Sequence, residues 1–232
     1  MKKRIFAAVL ALSFVLSAAA EAKTVRFSDV AQSHWAYEAI MTCAEKGAVE
    51  GTQAADKNGV GKFEPEGTVT LGQMLAVLTR LVAVTDTPKA SAQDKNWASP
   101  YYRAAIEGDI IRASDFSEEA LSETLTREDM AYLLVRAARV GGEVLENDLD
   151  SKIYAKADIA DFIEVEQKRQ DYVLQAYING LLTGYDNGNF GPKDSVTRAQ
   201  MAVIVCRLME YQPRIEVNYC DLPKFNDGSS GG

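Results

Sequence analysis

Two arginines stand directly after a threonine where an apolar, helix-spaced segment begins: Thr126-Arg127 and Thr197-Arg198. A cation in the first turn of a helix faces the positive end of the macrodipole, which costs up to ~1 kcal/mol when exposed. An anion bound there would reverse that cost, because a guanidinium fork and the unpaired N–H groups of a helix start both suit a carboxylate. The other reading is that each arginine pairs with an Asp or Glu across a contact between segments. Trp35 and Trp97 each offer a broad ring for stacking on a sugar face, or for packing into a core. Asp29 is an acceptor for a hydroxyl, or a cap for a helix beginning near Ser33. Glu128 and Gln200, in the same first turns as the arginines, complete the candidate set.

Metal and nucleophile chemistry finds little support. His34 is the only histidine, so a histidine-rich metal site is excluded and a serine or cysteine nucleophile would depend on that one base. No G-x-S-x-G, H-E-x-x-H or phosphate-loop pattern accompanies it. Asp186-Asn187-Gly188-Asn189 has the composition of a calcium-loop fragment but lacks the full ligand spacing, and is read as a plain turn. Paired carboxylates for glycoside cleavage would need a catalytic domain that the apolar pattern leaves no room for. The chain is therefore read as a non-enzyme with no cofactor.

The elements that position these residues repeat. Val69-Thr70-Leu71-Gly72-Gln73, Leu125-Thr126-Arg127-Glu128-Asp129 and Val196-Thr197-Arg198-Ala199-Gln200 each place an apolar residue before a threonine and an acid or amide three residues after it. This is a capping-box arrangement, and it predicts three helix starts. Each is followed in register by an amphipathic stripe: Met74, Val77, Leu78, Leu81; Met130, Leu133, Leu134, Ala137; Met201, Ile204, Val205, Leu208. Arg80, Arg136 and Arg207 all fall ten residues after their threonines. Upstream, helices over 35–46, 97–107 and roughly 164–179 end at Gly47, Gly108 and Gly180, where glycine is the usual left-handed stop. Phe63 and Phe190 both lie seven residues before their threonines, while Phe116 lies ten before Thr126, so the middle loop differs. Three matched helices point to a bundle with a shared core. The expected units are 24–85, 94–142 and 150–211, followed by an irregular tail over 212–232.

The 232 residues begin with Lys2, Lys3 and Arg4, an apolar stretch, and Ala20-Glu21-Ala22, which reads as a signal peptide over 1–22. Its removal takes away three cations and Glu21, leaving 22 Lys+Arg against 32 Asp+Glu and a net charge of −10. An acidic chain of this kind is a poor partner for nucleic acid or an anionic membrane, and nothing later reaches the ~20 apolar residues a membrane span needs. Cys43, Cys206 and Cys220 allow at most one internal bridge. Cys43 is read as core, and Cys206 with Cys220 as a staple the sequence leaves open.

Phe27-Ser28-Asp29-Val30, His34-Trp35-Ala36, Gly47 to Gly51, Phe63-x-Pro65 and Thr197-Arg198-Ala199-Gln200 together resemble the S-layer homology (SLH) repeat, in three copies. The resemblance implies an all-α, pseudo-threefold unit of helix-loop-helix repeats around a central three-helix bundle. It also implies inter-repeat grooves that bind secondary cell-wall polysaccharide, commonly pyruvylated, at the surface of a bacterium. On it, Arg127 and Arg198 contact the anionic sugar, Asp29 matches the family's aspartate with Asp158 a looser third-repeat match, and Trp35 and Trp97 match its tryptophan. Leu71-Gly72 departs from Arg-Ala, so the groove of the first repeat is expected to be structural or non-binding. The alternative is a surface-layer assembly protein acting through contacts with other surface proteins, with degenerate grooves.

Overall fold

A computed structural model describes residues 26–82 and 88–217. The expected signal peptide and Cys220 therefore lie outside the described residues. The elements in chain order are β1 (Arg26–Phe27), α1 (Tyr37–Glu45), β2 (Val60–Gly61), α2 (Leu71–Leu81), α3 (Ser99–Glu107), α4 (Arg127–Val140), α5 (Leu149–Asp158), α6 (Gln167–Ile178) and α7 (Arg198–Leu208). Two 3₁₀ turns, Glu118–Ser122 and Phe162–Glu164, interrupt the connections. The all-α class holds. The two strands form a single parallel pairing, Arg26 with Val60 and Phe27 with Gly61, that ties the start of the described chain to the α1–α2 loop.

The three helix starts form where the capping pattern places them. Thr70 and Thr197 accept from the Gln73 and Gln200 amides, and both glutamines reach back to the threonine N–H. Thr126 accepts from the Asp129 amide in the same way, but the shorter Asp129 takes the Thr126 hydroxyl and the Arg169 Nε–H instead of closing the box. The left-handed stops fall on Gly47 (φ 70°) and Gly180 (φ 62°) as expected. In the middle copy the stop is Asp109 (φ 57°) rather than Gly108, whose φ is −83°. In all three, two successive amides beyond the stop return to one carbonyl, those of Ala48 and Val49 to Cys43, Ile110 and Ile111 to Ala105, Leu181 and Leu182 to Ala176. That pattern, more than the identity of the stop residue, is what repeats.

Helices α2, α4 and α7 are buried on nearly every side and occupy the centre. Their partners are not the helices that precede them in the chain. The α2 helix packs on α3, α4 on α6, and α7 returns to α1, so each central helix is covered by the helix that precedes the next capping threonine, and the last closes on the first. At the hub, the apolar residue before each capping threonine completes a ring: the Val69 amide donates to the Val196 carbonyl (2.9 Å), Val196 to Leu125 (3.1 Å) and Leu125 to Val69 (2.8 Å). Helix α5, which packs on α6, lies across the expected joint and the start of the expected third unit. Its Leu149 and Ile153 are exposed, so it contributes only Ala155 to the core and leaves little apolar periodicity to detect.

Candidate functional site

Both candidate arginines are nearly covered, Arg127 at 3% and Arg198 at 7% exposure. Arg198 donates from Nε to the Phe63 carbonyl (2.6 Å) and from Nη2 to that of Glu50 (2.7 Å), with its guanidinium over the Phe63 ring at 4.5 Å. Arg127 makes the same set one unit along: Nε to Phe190 (2.7 Å), Nη2 to Thr183 (2.7 Å), over the Tyr185 ring at 4.4 Å and that of Phe190 at 5.1 Å. Each arginine therefore clamps the loop of another unit, through carbonyls and a ring rather than the carboxylate considered from sequence. Burial lowers both guanidinium pKa values, but arginine stays charged. Nη1 of each has no hydrogen-bond partner among the described residues.

The helix-start amides are not open to an anion, as the sequence reading had them. In α4 the Arg127 and Glu128 amides donate to Asp194 and Pro192, and in α7 those of Arg198 and Ala199 donate to Gly67 and Pro65. The next amide in each helix goes to the capping threonine. Whatever binds near these helices meets side chains.

Asp29 neither caps α1 nor stands free. Its two oxygens accept from the amides of Phe63 (2.9 Å) and Glu64 (2.8 Å), locking the loop that Arg198 clamps. Partial burial pushes its carboxyl up, but these two amides outweigh it and hold the pKa below the ordinary carboxylate value. In the third unit this role falls to Asp161, which accepts from Phe190 (2.7 Å) and Gly191 (2.8 Å), and not to Asp158, whose partner is Tyr177. The signal was present as Ile159-Ala160-Asp161-Phe162, an apolar-small-Asp-apolar run like Phe27-Ser28-Asp29-Val30. Glu128 is buried and takes the Glu166 amide (3.0 Å) and the Lys193 ammonium (2.5 Å), so it is a link within the fold.

Trp35 and Trp97 are 64% and 61% exposed, which removes the core reading of both. Trp35 lines a cleft of about 310 Å³ together with Arg127, Gln200, Tyr185, Asp186 and Arg207. The cleft thus unites three of the residues singled out from sequence and adds Arg207, known there only as a helix position. In the other two units the matching arginine is neutralised, Arg80 by Glu50 (3.1 Å) and Arg136 by Asp109 (2.7 Å). The third unit has Thr183 and Gly180 at the positions of Glu50 and Asp109, and Arg207 has no ion pair among the described residues. Its burial lowers its pKa, the mark of a cation without a compensating charge.

A second arrangement of this kind is made by Arg198, Glu50, Arg80, Tyr101 and Trp97. Arg198 binds the Glu50 carbonyl, the Glu50 carboxylate binds Arg80, Arg80 binds the Tyr101 hydroxyl (3.0 Å), and the rings of Tyr101 and Trp97 lie 6.0 Å apart. The third is closed. Leu71 stands where Arg127 and Arg198 do, and a Cβ on Gly72 would lie 2.7 Å from Ala98 Cβ and 2.9 Å from the Leu121 carbonyl. The 3₁₀ turn of the middle loop has filled the space, which accounts for the Leu-Gly departure.

The family model for the S-layer homology domain matches residues 26–75 and 160–202. The chain carries S-layer homology domains. The middle unit lies outside both matches, as does its altered loop. Among relatives, a protein named endoglucanase from Bacillus sp. (strain KSM-635) is 33% identical over 189 residues, 79% of this chain and 18% of its own length. The surface-layer 125 kDa protein of Lysinibacillus sphaericus is 27% identical over 88% of this chain and 16% of its own. The amylopullulanase of Thermoanaerobacterium thermosulfurigenes is 25% identical over 79% of this chain and 9% of its own. The SLH chain therefore spans less than a fifth of each of these relatives. Proteins with such different names are alike here over one segment each, and the S-layer homology matches together with a relative named as a surface-layer protein place the chain at the bacterial cell surface. Among the described residues no helix is long and apolar enough to cross a membrane.

Proposed function

We propose that the cleft of Trp35, Arg127, Tyr185, Gln200 and Arg207 binds an anionic wall polysaccharide, and that pyruvylated secondary cell-wall polysaccharide is the polymer held. On this reading the three expected repeats, 24–85, 94–142 and 150–211, each supply part of one site: Trp35 from the first, Arg127 from the second, the loop and α7 from the third. The observation that carries the proposal is Arg207, a half-buried cation left without an acid partner beside an exposed tryptophan. A carboxylate on a sugar would supply the missing charge through paired N–H···O bonds while the sugar face stacks on the Trp35 ring. The Arg198 groove, with Arg80 already neutralised by Glu50, is the weaker anion site, and the one blocked by Leu121 takes no ligand. Gln200, engaged in its capping box, lines the site without being free to turn toward a ligand.

The test is sedimentation of the chain with cell walls before and after extraction of their non-peptidoglycan polysaccharide, alongside Arg207→Gln and Trp35→Ala. Neither side chain is a clamp, so both variants are expected to keep the wild-type circular dichroism. The wild type should sediment with unextracted walls only, and each variant should bind at least about tenfold more weakly, the equivalent of one lost charge-assisted contact. Binding that ignores both changes, or survives extraction of the polysaccharide, overturns the proposal in favour of protein-mediated assembly.

A further inference from the structure

The α1–α7 contact is the closure that joins the first unit to the last, and two thiols lie at its centre. Cys43 on α1 and Cys206 on α7 are both fully buried, and their sulfurs are 2.8 Å apart. The approach is reciprocal: the Cys43 thiol also reaches the Ala202 carbonyl (3.4 Å), four residues before Cys206, and the Cys206 thiol reaches that of Ala39 (3.4 Å), four before Cys43. Cys206 is thus turned toward Cys43 across the helix interface, while the Cys206–Cys220 pairing considered from sequence involves a residue outside the described ones.

We infer that Cys43 and Cys206 are a disulfide-forming pair which, in the exported protein, covalently closes the ring of units between α1 and α7. The inference goes beyond polysaccharide binding and does not depend on it. An exported chain meets oxidising conditions, and a bond between residues 163 apart constrains the unfolded chain more than a short loop would. Two hydrogen-bonded thiols could instead serve as small core residues, but such a role asks for no second sulfur at this distance.

The step requires an electron acceptor, and a disulfide donor such as oxidised glutathione balances it. One deprotonated cysteine attacks a donor sulfur, forming a mixed disulfide as the donor S–S bond breaks and one donor thiolate leaves. The second cysteine, also deprotonated, attacks the protein sulfur of that mixed disulfide, forming the Cys43–Cys206 bond and expelling the other donor thiolate. Two protons leave the cysteines and two electrons pass to the donor, which ends as two thiols. Since neither sulfur is exposed once α1 has docked on α7, the exchange takes place while the ring is closing.

The three cysteines fall in different tryptic peptides: Cys43 in 27–46, Cys206 in 199–207 and Cys220 in 215–224. The full chain is refolded from the reduced state in a mixture of reduced and oxidised glutathione, alkylated without reduction, digested and mapped by mass spectrometry. Peptide 27–46 linked to 199–207, with 215–224 alkylated, is the expected result. Alkylation of both 27–46 and 199–207, or a link from 199–207 to 215–224, overturns the inference. The oxidised chain should also melt several degrees above the reduced one. That difference should vanish in Cys43→Ala, and its persistence in the variant would overturn the inference as well.

Discussion

Arg127 and Arg198 each satisfy two backbone carbonyls of another unit's loop and cover an aromatic ring, so the residue type is required before any ligand arrives. Lysine carries the charge but not the planar fork. Arg198→Lys should leave one of the Phe63 and Glu50 carbonyls unpaired and cost about 2–4 kcal/mol, read as a lower urea midpoint with an unchanged slope. Asp29 acts on the same loop from the other side. Its folded-state pKa is depressed by the Phe63 and Glu64 amides, so its contribution is fully present above its unfolded pKa of ~3.9 and disappears as pH falls through the lower folded value. The melting temperature of the wild type should therefore exceed that of Asp29→Asn at neutral pH, and the two should converge below about pH 4. A gap that stays constant with pH would mean the carboxylate charge is not what holds the loop. The chemical type of both residues was legible in the sequence, and their tasks were not. A motif arginine looks alike whether it faces an anion or two backbone carbonyls of a distant loop, because the acceptors come from residues more than fifty positions away.

At the level of elements, the local signals were reliable where a few neighbouring residues decide the outcome. The capping boxes of α2 and α7 depend on a threonine and a glutamine three residues apart, and both formed. The middle copy shows the limit of such rules: Asp129 is too short to reach back, and the left-handed position is taken by Asp109, whose carboxylate meets Arg136. Helix α5 went unread because it buries only one residue. Gly72 is the position where an element outside the repeat pattern decides the residue. Adding a methyl there brings it to 2.7 Å from Ala98 Cβ and 2.9 Å from a backbone carbonyl, so the 3₁₀ turn or α3 must move. Gly72→Ala should cost about 1–3 kcal/mol by overpacking, despite alanine's better helix propensity. Restoring the motif with Leu71→Arg and Gly72→Ala together should destabilise further rather than open a third groove, since Leu121 still fills it. Thermal melts of the single and double variants decide this, and a double variant as stable as the wild type would show that the space can be vacated.

Across the whole molecule, the order of packing makes the three units interdependent. Periodicity tells which face of a helix is apolar but not which other face covers it, and here each central helix is covered from the next unit. Removal of the third unit would therefore injure both of the others. Helix α4 would lose α6, α1 would lose α7 and the contacts around Cys43, and the hub would keep only the Leu125-to-Val69 hydrogen bond of its ring. A fragment ending at Gly142 contains both earlier units intact by sequence, and an array of self-sufficient repeats would let it fold. The closed arrangement predicts the opposite: the fragment should lack a cooperative urea transition and a dispersed amide NMR spectrum. In the full chain, the same coupling requires that the Val69, Leu125 and Val196 amides exchange with solvent only through global unfolding, at one common free energy. If instead the fragment melts cooperatively, or Val69 exchanges at a different free energy from Val196, the units are joined without sharing a core, and the ring at the hub is an ornament of three separately stable domains.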